Sequence, residues 1–240
     1  DGGRISYLSA ESRASLPGTT TTLATSVLES RGQIAASAPS SALANGLQGA
    51  SFVTGDPIGA DVAAVESGNA NVASGIGAGS NVFALMTLGV GAAQNASGAA
   101  AAYTSSGRVN VWLGDATQAP SLRLGLVNAV ATGSGFDTLQ LTITNKFVVI
   151  FTETFSDLDA ALAFFSDHVL ELGVLQPDRL GFFSADLEVK IAATTSSAGD
   201  SFRVEVVAAA VPEPSTYALL VLGLATAAAT AWRRRTARSV

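Results

Sequence analysis

Residues 138–155 read Thr-Leu-Gln-Leu-Thr-Ile-Thr-Asn-Lys-Phe-Val-Val-Ile-Phe-Thr-Glu-Thr-Phe. In residues 138–144, apolar and polar side chains alternate, which is the period of a strand with one buried face. The next segment, residues 146–155, is apolar on both faces in its first half, as in a strand buried on both sides. With Asn145 and Lys146 as the turn, the two segments predict a central antiparallel hairpin.

The same alternation recurs on both sides of this hairpin. Residues 108–113 and 121–126 precede it, and residues 186–191 and 202–206 follow it. The last two segments flank the turn-rich residues 196–200, so they predict a second hairpin. Together these segments predict a mostly β fold, an antiparallel β sandwich or jelly-roll-like body.

One packed helix is predicted in this body, over residues 157–172. Apolar residues fall at helical spacing from Leu158 to Leu172. Ser156 can cap its first turn and Gly173 can end its last. We expect this helix to lie across one end or face of a sheet.

The first 107 residues carry weaker signals. Residues 20–36 have the apolar spacing of a helix, so the segment 1–50 is expected to be partly helical. Residues 46–107 are rich in Gly, Ala, Ser and Asn, with short alternating pieces at 61–66 and 81–88. This region forms either small-residue strands, which we favour, or partly disordered chain.

Composition excludes several classes of function. The chain has 240 residues, 48% hydrophobic and 13% charged, which suffices for one sizeable core. It has no cysteine and one histidine, so disulfides and thiolate chemistry are excluded, and we expect no cofactor and no metal. Residues 1–210 carry 18 acidic and 9 basic residues, which disfavours a nucleic-acid partner.

The C-terminal residues carry the strongest pattern in the chain. Residues 217–232 contain no charge and are followed at once by Arg233, Arg234 and Arg235. As a helix they span about 24 Å, which is less than the thickness of a hydrocarbon core of about 30 Å. The helix can therefore cross only if its aromatic ends lie at the interfaces and the arginine side chains extend to the membrane surface. A buried terminal helix does not account for the arginines, so we predict a short transmembrane helix with the arginines in the cytoplasm.

Residues 211–216, Val-Pro-Glu-Pro-Ser-Thr, come directly before this span. Two prolines keep the segment extended, which is the conformation that proteases grip. The order of Pro-Glu-Pro, short apolar span and arginine cluster resembles the PEP-CTERM sorting signal of exopolysaccharide-producing Gram-negative bacteria. Substrates with this signal are handled by the membrane protease exosortase.

The resemblance implies an exported β-rich body, residues 1–210, and a sorting signal, residues 211–240. In that signal Pro212, Glu213 and Pro214 form the recognised motif, residues 217–232 the apolar helix, and residues 233–238 the arginine cluster, with Arg233, Arg234 and Arg235 as the membrane stop. Exosortase and the inner membrane are then transient partners. The body is held on the periplasmic side and then delivered to the cell surface or beyond.

Within the body, four groups of residues are candidates for chemistry, each with a plainer interpretation. His168 beside Asp167 and Glu171 could bind a metal, but a solvated helix face explains it better. Gly75, Gly77 and Gly79 do not have the spacing of a dinucleotide loop and indicate close strand packing or a flexible turn. The aromatics Trp112, Tyr103 and Tyr7 could line a sugar-binding face, and the plainer interpretation is that they are buried in the core.

The fourth group is the carboxylates, which show no calcium-loop order: Asp157, Asp159, Asp167, Glu171, Asp186 and Glu188. We expect Asp186 and Glu188 to share an outer strand face with Lys190, where cross-strand charge pairing accounts for them. The chain is therefore predicted to be a non-enzymatic surface or biofilm-matrix protein that contacts exopolysaccharide. Two alternatives stay open: an enzyme that acts on polysaccharide through carboxylates such as Asp157, Asp186 or Glu188, and a self-assembling surface protein.

Overall fold

The computed structural model describes residues 4–15, 22–29, 37–44, 47–55, 59–77, 80–92, 100–114, 119–197 and 199–212. The strands are β1 (Arg4–Ser15), β2 (Thr22–Glu29), β3 (Ser37–Ala44), β4 (Leu47–Gly55), β5 (Asn81–Ala92), β6 (Ala101–Gly114), β7 (Pro120–Thr132), β8 (Thr138–Asn145), β9 (Val148–Phe155), β10 (Asp167–Val174), β11 (Phe183–Thr195) and β12 (Ser201–Pro212). The helices are α1 (Gly59–Glu66), α2 (Ala70–Ile76) and α3 (Leu158–Phe165).

The strands form two antiparallel, six-stranded sheets. Sheet A has the order β2-β1-β6-β11-β8-β9, and sheet B has the order β10-β7-β12-β5-β4-β3. The sheets lie against each other, with β1 against β3 and β4, β6 against β4 and β5, and β11 against β5. The prediction of a mostly β, antiparallel body is confirmed, and its arrangement is sandwich-like.

Alternating burial along the strands produces the shared core. In β11, Leu187, Val189 and Ile191 are fully buried, while the residues between them face outward. Their partners in the core include Phe83 and Met86 of sheet B. The period of two in the sequence is therefore the direct cause of a core between two sheets.

The hairpin of residues 138–155 forms as β8 and β9, but it is not central. The turn residues are Lys146 and Phe147, both with positive φ, rather than Asn145 and Lys146. β11 pairs with the other side of β8, so β9 is left as the outermost strand of sheet A. Its apolar first half is exposed instead of buried on both faces.

The second predicted hairpin is wrong in its pairing. β11 belongs to sheet A and β12 to sheet B, and residues 196–200 carry the chain from one sheet to the other. β11 pairs with β6 and β8, and β12 pairs with β5 and β7. Both strands are central in their sheets, and each is fixed by partners far away in sequence.

The prediction of one helix over residues 157–172 is corrected by the structure. The helix, α3, ends at Phe165, and the chain continues from Asp167 as β10, which pairs with β7 at the edge of sheet B. Asp157, not Ser156, is its N-cap and accepts a hydrogen bond from the Ala160 amide at 2.7 Å. The apolar spacing fits both structures, and pairing with β7 decides between them.

The described residues contain two helices that the sequence did not predict, so the body has three helices instead of one. Residues 61–66, expected to be a strand, lie in α1, and α2 follows at once. The predicted helix at residues 20–36 is also wrong where it is described, because Thr22–Glu29 is a strand paired with β1. Residues 81–88 lie in β5, as predicted.

None of these three helices has the length and apolar character needed to cross a membrane. The predicted transmembrane helix, residues 217–232, lies outside the described residues.

Candidate functional site: the end of strand β12

Strand β12 leads directly into the predicted sorting motif. It is flanked by β5 and β7, and its residues from Val206 to Ala210 are buried. It ends at Pro212, which is exposed and lies opposite Pro120 of β7. Because proline lacks an amide donor, Pro212 of β12 and Pro120 of β7 end the hydrogen-bonded ladder between these two strands.

Pro212 is the one motif residue that the structure describes. Glu213 and Pro214 lie outside the described residues, as do Arg233, Arg234 and Arg235. Among the described residues, the last buried apolar side chain is that of Ala210, two positions before the motif begins.

The end of the body at which β12 finishes is called here the exit end. β11 and β12 run in opposite directions from residues 196–200, so Phe183 at the start of β11 lies at the same end as Pro212. Residues 175–182 cross between the sheets at this end. The Leu175 amide donates to the Pro120 carbonyl at 2.9 Å, and the ring of Phe182 lies 5.4 Å from that of Trp112.

A polar cluster lies on the outer face of sheet A near the exit end. Arg108 donates from Nε to Oδ1 of Asp186 at 2.7 Å and from Nη2 to Oδ2 at 2.5 Å. Its guanidinium lies 5.2 Å from the ring centre of Tyr7 and 4.3 Å from that of Phe147. The hydrogen bond to Asp186 raises the pKa of Arg108, so the guanidinium that makes these two hydrogen bonds stays charged.

This cluster agrees with the role expected of Asp186. Asp186, Glu188 and Lys190 share the outer face of β11, as predicted from their spacing. The ion-pair partner of Asp186 is Arg108 on the neighbouring strand β6, which is the cross-strand charge pairing expected there. The sequence analysis missed Arg108 and Phe147, although the outward parity of Arg108 in its strand was a usable signal.

The three aromatics considered for a sugar-binding face do not lie together. Tyr103 is 1% exposed and belongs to the core, where burial raises the pKa of its hydroxyl. Trp112 is 39% exposed and lies on the opposite face of β6 from the buried Val109 and Val111, as the strand alternation predicts. Tyr7 also faces outward, where it packs on Arg108. Trp112 and Tyr7 remain candidates, and Tyr103 does not.

The candidate catalytic carboxylates have structural partners. Asp157 caps α3, and Asp186 is paired with Arg108. Glu188 lies two residues from Asp186 on the same strand face, so these two side chains are neighbours on an open sheet rather than opposed across a cleft. Asp157 comes just after β9, at the open end of the β8–β9 hairpin, whereas Asp186 lies beside the turn at its other end.

His168 lies on β10 rather than on a helix, and its ring stacks on Phe164 with a centroid distance of 4.7 Å. The neighbouring Asp167 accepts amide hydrogens of Asn71 and Val72, both at 2.9 Å, and so caps the start of α2. In the part of the chain that the structure describes, no group of three metal-ligating side chains occurs.

Two of the three glycines are described, and they lie in and at the end of helix α2 rather than in a strand. Gly75 lies in α2 against Val169 of β10, where a Cβ would approach Val169 Cγ2 to 2.6 Å. Gly77 ends the helix with a φ of 76°. Gly79 lies outside the described residues.

A folded β-rich body whose central strand runs into Pro-Glu-Pro, an apolar span and an arginine cluster defines an exported protein with a C-terminal sorting signal. In agreement, residues 210–235 match the family model of the PEP-CTERM protein-sorting motif. The chain carries this motif, which implies an exosortase-sorted, exported protein. A search of curated proteins finds no match to the chain.

Proposed function

We propose that this protein is a non-enzymatic component of the cell surface or extracellular matrix, delivered by exosortase and released from a short-lived membrane anchor. The observation that carries this proposal is the position of the motif. β12 ends at Pro212, and the apolar core lies upstream of it. A cut after Pro212 removes none of the residues that are buried in the described body, so we expect the released body to keep its fold.

The tail supports the membrane step. Its apolar span is short for a bilayer and is followed by arginines that favour the cytoplasmic side. A helix of this length anchors weakly, which suits an intermediate that is later cut. The body stays on the opposite side, where exosortase acts on the extended segment before the span.

The non-enzymatic part of the proposal rests on how the carboxylates are used. Asp157 and Asp186, two of the three carboxylates considered for a polysaccharide-cleaving enzyme, are engaged by the Ala160 amide and by Arg108. Contact with exopolysaccharide is assigned to the outer face of sheet A, where Trp112 is exposed and the half-buried Tyr7 packs on Arg108 beside it. Trp112→Ala is expected to weaken retention on the matrix polymer, whereas Gln140→Ala, farther along the same face, is not.

The sorting step is tested in cells of the source organism. Pro212→Ala with Pro214→Ala is expected to leave the full chain in the inner membrane, because the extended segment that the protease recognises is lost. Ser215→Ala is the matched control and is expected to be processed normally. Unchanged processing of the proline variant, or normal processing in cells that lack exosortase, contradicts the proposed route.

A further inference from the structure

Exposed apolar side chains gather at the exit end of the body. In the described residues, the large hydrophobic side chains that are exposed there are Trp112 (39%), Phe147 (76%), Val148 (63%), Val149 (57%), Ile150 (38%), Val174 (41%) and Leu180 (79%). Val130, 58% exposed, lies toward the other end of the sheets, opposite Arg203 near the start of β12. We call the seven residues the exit-end patch.

A backbone hydrogen bond and strand pairing fix the sheet A members of the patch at this end. Phe147 lies in the β8–β9 turn, where the Lys146 amide donates to the Asp186 carbonyl at 2.9 Å, close to the start of β11. Trp112 lies opposite Ser184, also at the start of β11. The apolar residues 148–150 follow the turn directly on the edge strand.

The remaining two members extend the patch to sheet B and to the loop between the sheets. Val174 lies opposite Ser121, the residue that pairs with Val211 of β12. Leu180 is in the crossing loop, where its amide donates to Asp178 Oδ1 at 2.8 Å and so fixes the turn. The patch therefore has rigid support in strands and a braced turn.

The tail leaves the body at the same end. The chain is described to Pro212, and the apolar span begins at Tyr217. Five residues of fully extended chain reach at most about 18 Å. A bilayer that holds residues 217–232 therefore lies within that distance of Pro212, at the end of the body that carries the exposed apolar side chains.

We propose that the exit-end patch is a membrane-docking surface for the phospholipid bilayer in which the tail is inserted, an inference that rests on the proposed function. Apolar side chains at the tip of a rigid fold enter the interfacial region of a bilayer, and tryptophan prefers that depth. The tether holds the patch at high effective concentration near the lipid, so weak docking suffices before cleavage. After cleavage the effective concentration falls and the body leaves the membrane.

Docking has a consequence for the sorting reaction. It fixes the body against the lipid surface at the end where the sorting motif begins at Pro212. The start of the motif is then held close to the membrane in which the protease works.

The chain has no cysteine, so single-cysteine labelling gives a clean test. Phe147→Cys and Leu180→Cys place an environment-sensitive fluorophore on the patch, and Val130→Cys is the control on an exposed valine away from it. Each full-length variant is reconstituted into vesicles of phosphatidylethanolamine and phosphatidylglycerol. Tail insertion is read separately, as flotation of the protein with the vesicles after an alkaline wash.

The docking proposal predicts a blue-shifted emission and loss of quenching by aqueous iodide at positions 147 and 180, with position 130 still quenched. Flotation with equal quenching at all three positions overturns docking and leaves the proposed function intact. Failure to float overturns both, because the tail is then not inserted. Protection that appears without vesicles and rises with protein concentration overturns docking in favour of a second copy of the chain on the patch.

Discussion

Cutting the chain at Pro212 is expected to leave the body intact, whereas cutting it only a few residues earlier is expected to unfold it. Three chains are compared, ending at residues 216, 212 and 206. The first two contain every buried apolar residue of the described body, and the third lacks residues 207–212, of which Val207, Ala208, Ala209 and Ala210 are at most 3% exposed. The comparison isolates the end of β12 from the tail that follows it.

The magnitude follows from what residues 207–212 bury. Their hydrogen bonds to β5 and β7 contribute on the order of 1 kcal/mol each, which is offset by a similar backbone entropy cost of ordering them. Burial of one valine and three alanine side chains then leaves about 4 kcal/mol of lost stability. Against a total of about 5–15 kcal/mol for a domain, this loss abolishes cooperative folding or comes close to it.

The assay is urea unfolding followed by far-UV circular dichroism and by tryptophan fluorescence. Trp232 lies in the removed tail, so Trp112 is the single reporter in all three chains. The chains ending at 216 and 212 are expected to agree within about 0.5 kcal/mol. If the chain ending at 212 is less stable by more than that, or the chain ending at 206 unfolds with the same midpoint, the separation of fold and signal at Pro212 is refuted.

Three further outcomes are expected. Arg108→Ala leaves the Asp186 carboxylate, 11% exposed, without its fork and costs about 1–3 kcal/mol by urea titration, and Arg108→Lys restores only part of this because it cannot make both bonds. Burial raises the pKa of Tyr103, so its neutral form supports the fold below its usual pKa of about 10, and this support is lost as pH rises further. Tyr103→Phe removes that alkaline loss of stability. It changes the free energy of unfolding at neutral pH by less than about 1 kcal/mol, since Oη makes no hydrogen bond of normal geometry to the described residues, although the Thr195 side chain lies near it. Gly107→Ala would place a Cβ 2.5 Å from Val53 Cγ2 between the sheets and costs about 1–3 kcal/mol in thermal or urea unfolding, and the added change Val53→Ala should recover part of it; full stability of the single variant would contradict the close contact.

The sequence predicted the strands of the body well and their partners poorly. The period of two in residues 121–126, 138–144 and 186–191 depends on one buried face per strand, and each segment lies in a strand of the structure. Which strand lies beside which depends on residues far apart in the chain. β11 and β12 are close in sequence yet belong to different sheets, because each finds its partners among distant strands.

The helical errors have a common cause. Residues 167–172 have apolar residues at a spacing that fits a helix, but the open edge of β7 offers them backbone partners and they become β10. Residues 61–66 alternate as a strand does, but they form α1. For short segments the local pattern allows both structures, and tertiary contacts decide between them.

One part of the candidate site could be predicted from the sequence and another part could not. The motif was readable from sequence because its recognition depends on residue order near the chain end, and the family match at residues 210–235 agrees with it. The exit-end patch was not readable, because Trp112, Phe147 and Leu180 come together only when the crossing loop and the two sheets are placed.

The most direct test of the central claim, that the tail is a removable sorting signal on an independently folded body, is the C-terminal peptide of the native protein. Mass spectrometry of fractionated cells is expected to find a chain that ends within residues 211–216 and lies outside the inner membrane. Peptides from residues 218–240 that persist in the membrane fraction, joined to the body, would contradict the claim and identify a permanently anchored protein instead.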